Sequence, residues 1–152
     1  MSDDNKHLIN FMNQELSNFN VMYVKLHRYH WFIQGQHFFV LHKFFEELYK
    51  EMAQDIDNMA ERILAVGGKP LAVMSKYLEQ ATLVEANADD EEEEVIQQLH
   101  EDYDQMVREI REEGYKLTDQ ANDEPTHDML VELQGRFEQH IWMLSSYMEQ
   151  PR

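Results

Sequence analysis

The chain has 152 residues, 43% of them hydrophobic and 28% charged, which suits one soluble globular domain spanning residues 1–152. No apolar run approaches the roughly 20 residues that cross a bilayer. Met1-Ser2-Asp3-Asp4 lacks the basic and apolar regions of a secretion signal, so a cytoplasmic location is expected. The absence of cysteine excludes disulfides, thiolate zinc sites and cysteine nucleophiles together, and a net charge of −17 disfavours nucleic acid and anionic membranes as partners while favouring cations.

Only 5 Gly and 3 Pro punctuate the chain, so long uninterrupted elements are expected, and the apolar spacing is helical throughout. The first helix runs from about Lys6 to Ile33, with Leu8, Met12, Leu16, Phe19, Tyr23 and Leu26 three or four apart, until Gly35 interrupts. The second runs from about His37 to Val66 on a stripe of Leu41, Phe45, Leu48, Met52, Ile56, Met59 and Ile63. Gly67-Gly68 and Pro70 then supply a left-handed cap and a residue that cannot continue the helix. Residues 67–92 are long for a loop, as a crossover between two helical hairpins requires, and Leu71, Val73, Met74, Tyr77 and Leu78 predict a short docked helix within it. The third helix spans about Glu93 to Ala121 and the fourth starts near Pro125-Thr126 and ends near Met148. The expected fold is therefore all-α, a four-helix bundle with a short helix between helices two and three. The acidic run Asp89 to Glu94 reads as a metal-binding tract or as charge at a helix N-terminus, where the macrodipole favours acids.

His42, Glu46, Asp57 and Glu61 form two i,i+4 pairs on helix two. At about 100° per residue they share an arc roughly 100° wide, centred about 130° from the middle of the apolar stripe. Imidazole with carboxylates suits iron, the oxygen donors favouring the ferric state, although exposed polar residues on an amphipathic helix follow the same pattern. The pairs are 15 residues apart, or about 22 Å along the helix, too far to share one ion within a chain. An antiparallel copy across a two-fold axis near Glu51 and Met52 would bring one pair opposite the partner's other pair, making two identical sites. Glu124 and His127 give the one Glu-x-x-His spacing, with Pro125 placing it in a helix-opening turn, so an intramolecular di-iron centre is not expected.

Tyr29-His30-Trp31, His42 with Glu46, Asp57-Asn58-Met59-Ala60-Glu61-Arg62 and the closing His140-Ile141-Trp142 together resemble the Dps family of miniferritins. The resemblance covers nearly the whole chain and implies a ferritin-like fold. It also implies an iron-storing ferroxidase that oxidises Fe²⁺ with hydrogen peroxide, or more slowly with O₂, and keeps ferric mineral inside a hollow dodecamer built from two-fold dimers. The implied ligands are His30, His42 and Glu46 from one subunit and Asp57 and Glu61 from its partner. Many members carry Asp where Glu46 stands. His30 falls within the apolar sector of helix one, so periodicity alone would bury it in the core, and its ligand role rests on the resemblance. Trp31 is an electron donor or an interface residue. His27 orients a ligand or makes a local hydrogen bond, His7, His37 and His100 are surface residues, and His140 packs at helix four.

The same resemblance places three-fold pores at the turn between helices three and four, where Asp119, Asp123, Glu124 and Asp128 form an iron entrance, or a solvated turn with charge at a helix start. Glu47 and Glu51, off the apolar stripe of helix two, are candidates for mineral nucleation. Two other functions are compatible with the pattern. A DNA-protecting nucleoid protein would need a basic arm, but only Lys6 precedes the first helix and the chain ends at Pro151-Arg152. A non-catalytic acidic helical adaptor would neither bind nor oxidise Fe²⁺.

Overall fold

The computed structural model describes residues 1–86 and 91–148; Asp89, Asp90, Pro151 and Arg152 lie outside the described residues. Helices α1 (Asp3–Phe32) and α2 (Phe38–Ala65) form one hairpin, and α4 (Glu92–Glu109) packs with α6 (Glu124–Met148) in the second. Between the hairpins, α3 (Met74–Gln80) lies against α1, giving the bundle with crossover that the periodicity predicts. No strand occurs among the described residues, and one isolated bridge joins Gln34 to Glu91.

The predicted third helix is not one regular α-helix. A π-helical segment, Ile110–Gly114, separates α4 from α5 (Tyr115–Gln120). Apolar spacing cannot show such an insertion, because Met106, Ile110 and Thr118 all stay buried across the change in winding. Gly114 sits where a Cβ would lie 3.0 Å from Leu130 and 3.1 Å from Phe11, so the lack of a side chain permits the close approach.

The turns follow the sequence signals. Ser2 caps α1 by accepting from the Asn5 amide at 3.2 Å. Gly67, at φ +90°, turns the chain after α2, and its amide donates to the Leu64 carbonyl at 3.0 Å. Gly35, at φ +138°, lets the α1–α2 turn pass against the Glu92 side chain, which occupies the space a Cβ would take. Glu92, Glu93 and Glu94 fill the first turn of α4, the position its dipole favours for acids.

The core holds the predicted stripes, with Phe19, Phe45, Met52, Leu99, Met106 and Phe137 fully buried. It also contains charge. Lys25 is buried in an ion pair with Asp102 at 2.6 Å and donates to the Val84 carbonyl at 2.9 Å, tying the crossover to the bundle. Desolvation raises the Asp102 pKa and Lys25 opposes the rise. The expected docking of α3 is narrower than its apolar content suggests: Tyr77 is half-buried, whereas Val73, Met74 and Leu78 are exposed.

Candidate metal centre

His30 stands near the end of α1 and His42 one turn into α2, so the tight turn around Gly35 brings the two imidazoles face to face. Their rings stack at 3.8 Å with 14° between planes. Each Nδ1–H donates to the other residue's backbone carbonyl, both at 2.7 Å. A carbonyl only accepts, so this reciprocal pair fixes the proton on Nδ1 of both rings and leaves each Nε2 lone pair for a cation. His30 is buried, as its place in the apolar sector predicts, and it also faces the helix-two ligands, which periodicity alone does not reveal.

Glu46 follows His42 by one turn. Its Oε1 lies 4.0 Å from His30 Nε2, while Oε2 accepts from Lys50 Nζ at 2.8 Å. The Lys50 hydrogen bond, and then its charge, hold the Glu46 carboxyl below the ordinary carboxylate range. Asp57 and Glu61 are exposed farther along α2 and make no hydrogen bond or ion pair among the described residues. Among those residues, no three His, Asp or Glu side chains gather into a metal-holding group within one chain. The chain therefore presents two half-sets, one of fixed imidazoles with a carboxylate and one of two exposed carboxylates.

Beside the first half-set runs an aromatic series. Tyr49 lies edge-on to His30 at 5.4 Å and stacks on His27 at 3.8 Å, and His27 lies 5.4 Å from Trp31. His27 donates to the Tyr23 carbonyl at 2.8 Å, the local hydrogen bond that the sequence left as one option. Trp31 is 64% exposed, and with Val24, Phe32, Met74 and Leu78 it lines an apolar groove of about 620 Å³ between α1 and α3.

Two acids are held by neighbouring side chains. Glu51, placed by helical phase off the apolar face, is half-buried against α6, accepting from His140 Nε2 at 2.7 Å and pairing with Arg136 at 3.0 Å. Arg136 also binds Asp55 through two bonds of 3.0 and 2.8 Å, so one guanidinium between α2 and α6 engages both the Glu51 and the Asp55 carboxylates. The helical phase of α2 does not reveal a guanidinium on the neighbouring helix. Asp123, read as part of an acidic entrance or as helix-start charge, caps α6. Its Oδ1 accepts from the Thr126 amide at 3.0 Å and from Arg62 at 3.0 Å, and Oδ2 accepts from the Thr126 hydroxyl at 2.6 Å. Those bonds and the Arg62 charge outweigh desolvation and lower its pKa. An Asp three residues before Thr, with Pro in the first turn, is a readable cap signal.

Asp119 and Asp128 are exposed, and Asp128 lies 3.6 Å from His127 Nδ1. Glu47 is exposed on α2. Glu124 opens α6, and the His127 ring packs against Tyr115 at 5.0 Å, so the lone Glu-x-x-His spacing sits at a helix start, as Pro125 predicts. His7 is exposed, and His140 packs against Tyr103 at 5.3 Å. His37 is exposed but bonded to Glu92 at 2.9 Å, while His100 is half-buried on the Ser145 hydroxyl at 2.9 Å.

A family model for the ferritin-like domain matches residues 9–152. General stress protein 20U of Bacillus subtilis is 44% identical over 141 residues, covering 93% of this chain and 97% of that protein. DNA protection during starvation protein 2 of Bacillus anthracis is 40% identical, covering 96% and 99%. The solved structure of a Dps protein from Bacillus brevis superposes with a TM-score of 0.95 at 36% identity, covering 98% of this chain and 99% of that one. Dps from Vibrio cholerae O1, described as a member of a broad superfamily of ferritin-like diiron-carboxylate proteins, gives a TM-score of 0.91 at 31% identity, covering 96% and 91%. With the bundle, the crossover and full-length similarity agreeing, the chain belongs to the ferritin-like family and, within it, to the Dps miniferritins.

Proposed function

We propose that this protein is a ferroxidase and iron store, taking Fe²⁺ as substrate at sites completed between two subunits. The observation that carries the reading is the His30–His42 pair, whose Nδ1 atoms are engaged by backbone carbonyls so that both Nε2 atoms remain available beside Glu46. The partner subunit supplies the second half-set, equivalent to Asp57 and Glu61, when the α2 helices pack antiparallel across a two-fold axis. The apolar groove at Trp31 adjoins the centre through His27 and Tyr49, and a second copy of the chain is the occupant proposed for it. Trp31 would then pack in that interface, close enough to the centre to donate an electron.

Two Fe²⁺ each lose one electron while hydrogen peroxide takes up two electrons and two protons, giving two Fe³⁺ and two waters. O₂ serves as a slower oxidant. The protein residues contribute imidazoles held in place by their Nδ1–H bonds, and carboxylates whose hard oxygens favour the ferric product. Ferric mineral then collects in the cavity of a dodecamer, with Glu47 as a nucleating carboxylate, and paired consumption of Fe²⁺ and peroxide protects against oxidative stress. The proposed entrance is the α5–α6 turn, through Asp119 and Asp128. In a cytoplasmic setting this protection acts on iron and peroxide rather than through direct DNA contact, because the charge of −17 repels phosphate. Residues 1–152 act as one functional unit in this reading.

The test loads the assembled protein with Fe²⁺ under anaerobic conditions, adds hydrogen peroxide, and follows ferric absorbance alongside oligomer size. The expected result is rapid oxidation with about one peroxide consumed per two Fe²⁺ and an intact assembly retaining the iron. Oxidation no faster than in buffer would instead favour the non-catalytic adaptor.

A further inference from the structure

Glu46 is a longer carboxylate than the Asp common in this family, and it does not stand free. One oxygen faces His30 Nε2 at 4.0 Å, while the other is bound by the Lys50 ammonium at 2.8 Å. Lys50 is the i+4 neighbour of Glu46 on α2, in the orientation that favours Glu-to-Lys pairing on a helix. The carboxylate thus stands between the His30 imidazole on one side and a side-chain cation on the other.

We propose that Lys50 is the resident counter-cation of this metal centre, a specificity-tuning residue that a divalent ion must displace to gain full use of Glu46. The inference rests on the ferroxidase reading above. In that reading three carboxylates converge across the two-fold interface: Glu46 and, from the partner, the equivalents of Asp57 and Glu61. Without an ion they repel one another, and an ammonium on Glu46 relieves part of that repulsion. On ion entry the same ammonium becomes a competitor for one carboxylate oxygen and a like charge beside the metal. Lys50 therefore stabilises the empty centre and weakens cation binding. A divalent ion displaces the ammonium because its charge is doubled and the imidazole nitrogens add ligands that Lys50 cannot use. A monovalent ion lacks the first advantage.

Cobalt(II) is a suitable probe because it avoids oxidation, and its visible spectrum reports coordination by nitrogen and oxygen. The assembled wild-type protein and the Lys50→Met, Lys50→Arg, Glu46→Gln and Glu46→Gln/Lys50→Met variants are titrated under identical salt. Lys50→Met is expected to tighten cobalt binding about two- to fivefold, the range of an exposed ion pair, while Lys50→Arg stays near wild type. The double variant decides the mechanism. Once Glu46 has lost its charge, removing Lys50 should change affinity by less than twofold, because the ammonium then has no carboxylate to withhold. An equal tightening in both backgrounds would mean that Lys50 acts only through its general positive field, and would overturn the proposal. So would an unchanged affinity in Lys50→Met. His30→Ala and His42→Ala test the underlying site separately. Wild-type cobalt affinity and spectrum in both would show that the centre lies elsewhere, whereas loss of binding there with no Lys50 effect would reject the counter-cation role alone.

Discussion

Glu15 is a carboxyl group with no access to water, fully buried on α1, where its Oε1 meets no donor among the described residues. Its neighbour Glu109, at the end of α4, accepts from Asn18 Nδ2 at 3.0 Å, from the Thr82 hydroxyl at 2.6 Å and from Gln105 Nε2 at 3.3 Å. Asn18 cannot turn its amide around, because its Oδ1 already accepts from the Thr82 and Leu83 amides at 2.8 and 3.1 Å. Glu109 is thus already held by three donors, and Glu15 complements it as a protonated acid that donates. Burial first, then the hydrogen bond and charge of Glu109, raise the Glu15 pKa well above its ordinary value of 4.5, against the weaker opposing bonds of Gln14 and Asn18. The sign follows from proton binding. The folded state holds this proton more tightly than the unfolded state, so stability declines as pH rises from about 4.5 through the raised value, and the whole loss is present above it. Glu15→Gln keeps a donor facing Glu109 and cannot ionise. Below pH 4 it should melt close to wild type, and its advantage should grow as pH rises through the raised value and then level off. Parallel melting temperatures for the two proteins from pH 4 to 9 would mean that Glu15 does not hold the proton.

Helix α2 shows how much of the centre could be read from one element and where that reading stops. The angular arithmetic separated His42, Glu46, Asp57 and Glu61 from the apolar stripe, and the exposure of Asp57 and Glu61 agrees with it. The same arithmetic missed what neighbouring helices bring to α2: Arg136 and His140 on Glu51, and the α1 carbonyl that orients His42. Phase within a helix is local and was legible, whereas partners across the bundle depend on packing that no spacing encodes. The π-helical Ile110–Gly114 segment escaped for a related reason, since one extra residue in a turn leaves the order of apolar residues intact. At the α5–α6 turn, charge was legible but its engagement was not, which divides the acids there into two kinds. Asp123→Ala removes the α6 cap and the Arg62 partner, and should cost about 1–2 kcal/mol of stability, read by denaturant unfolding. Asp119→Asn with Asp128→Asn should leave stability and assembly size unchanged yet slow iron uptake at low Fe²⁺, because only the exposed attractive charge is removed. Uptake at the wild-type rate in that double variant would move the entrance elsewhere.

For the whole molecule, the 15-residue offset on α2 makes a prediction that no single-chain ligand set shares. His42→Ala disables the imidazole half-set and Asp57→Ala the carboxylate half-set, so each homo-oligomer should lose most peroxide-driven oxidation. In a dimer containing one subunit of each kind, both mutations fall in the same shared site. The other site receives Asp57 and Glu61 from the His42→Ala chain and His30, His42 and Glu46 from the Asp57→Ala chain, and is whole. Random mixing makes about half the dimers mixed and leaves half of their sites intact, so activity should recover to roughly a quarter of wild type. Mass spectrometry of the mixed assemblies must show that subunits have exchanged before the rates are compared. Ligands that all came from one chain would allow no recovery, because every chain in the mixture carries a defect. With exchange complete, activity fixed at the level of the separate variants would therefore reject the shared site, and recovery near one quarter would distinguish it from any centre built within a single bundle.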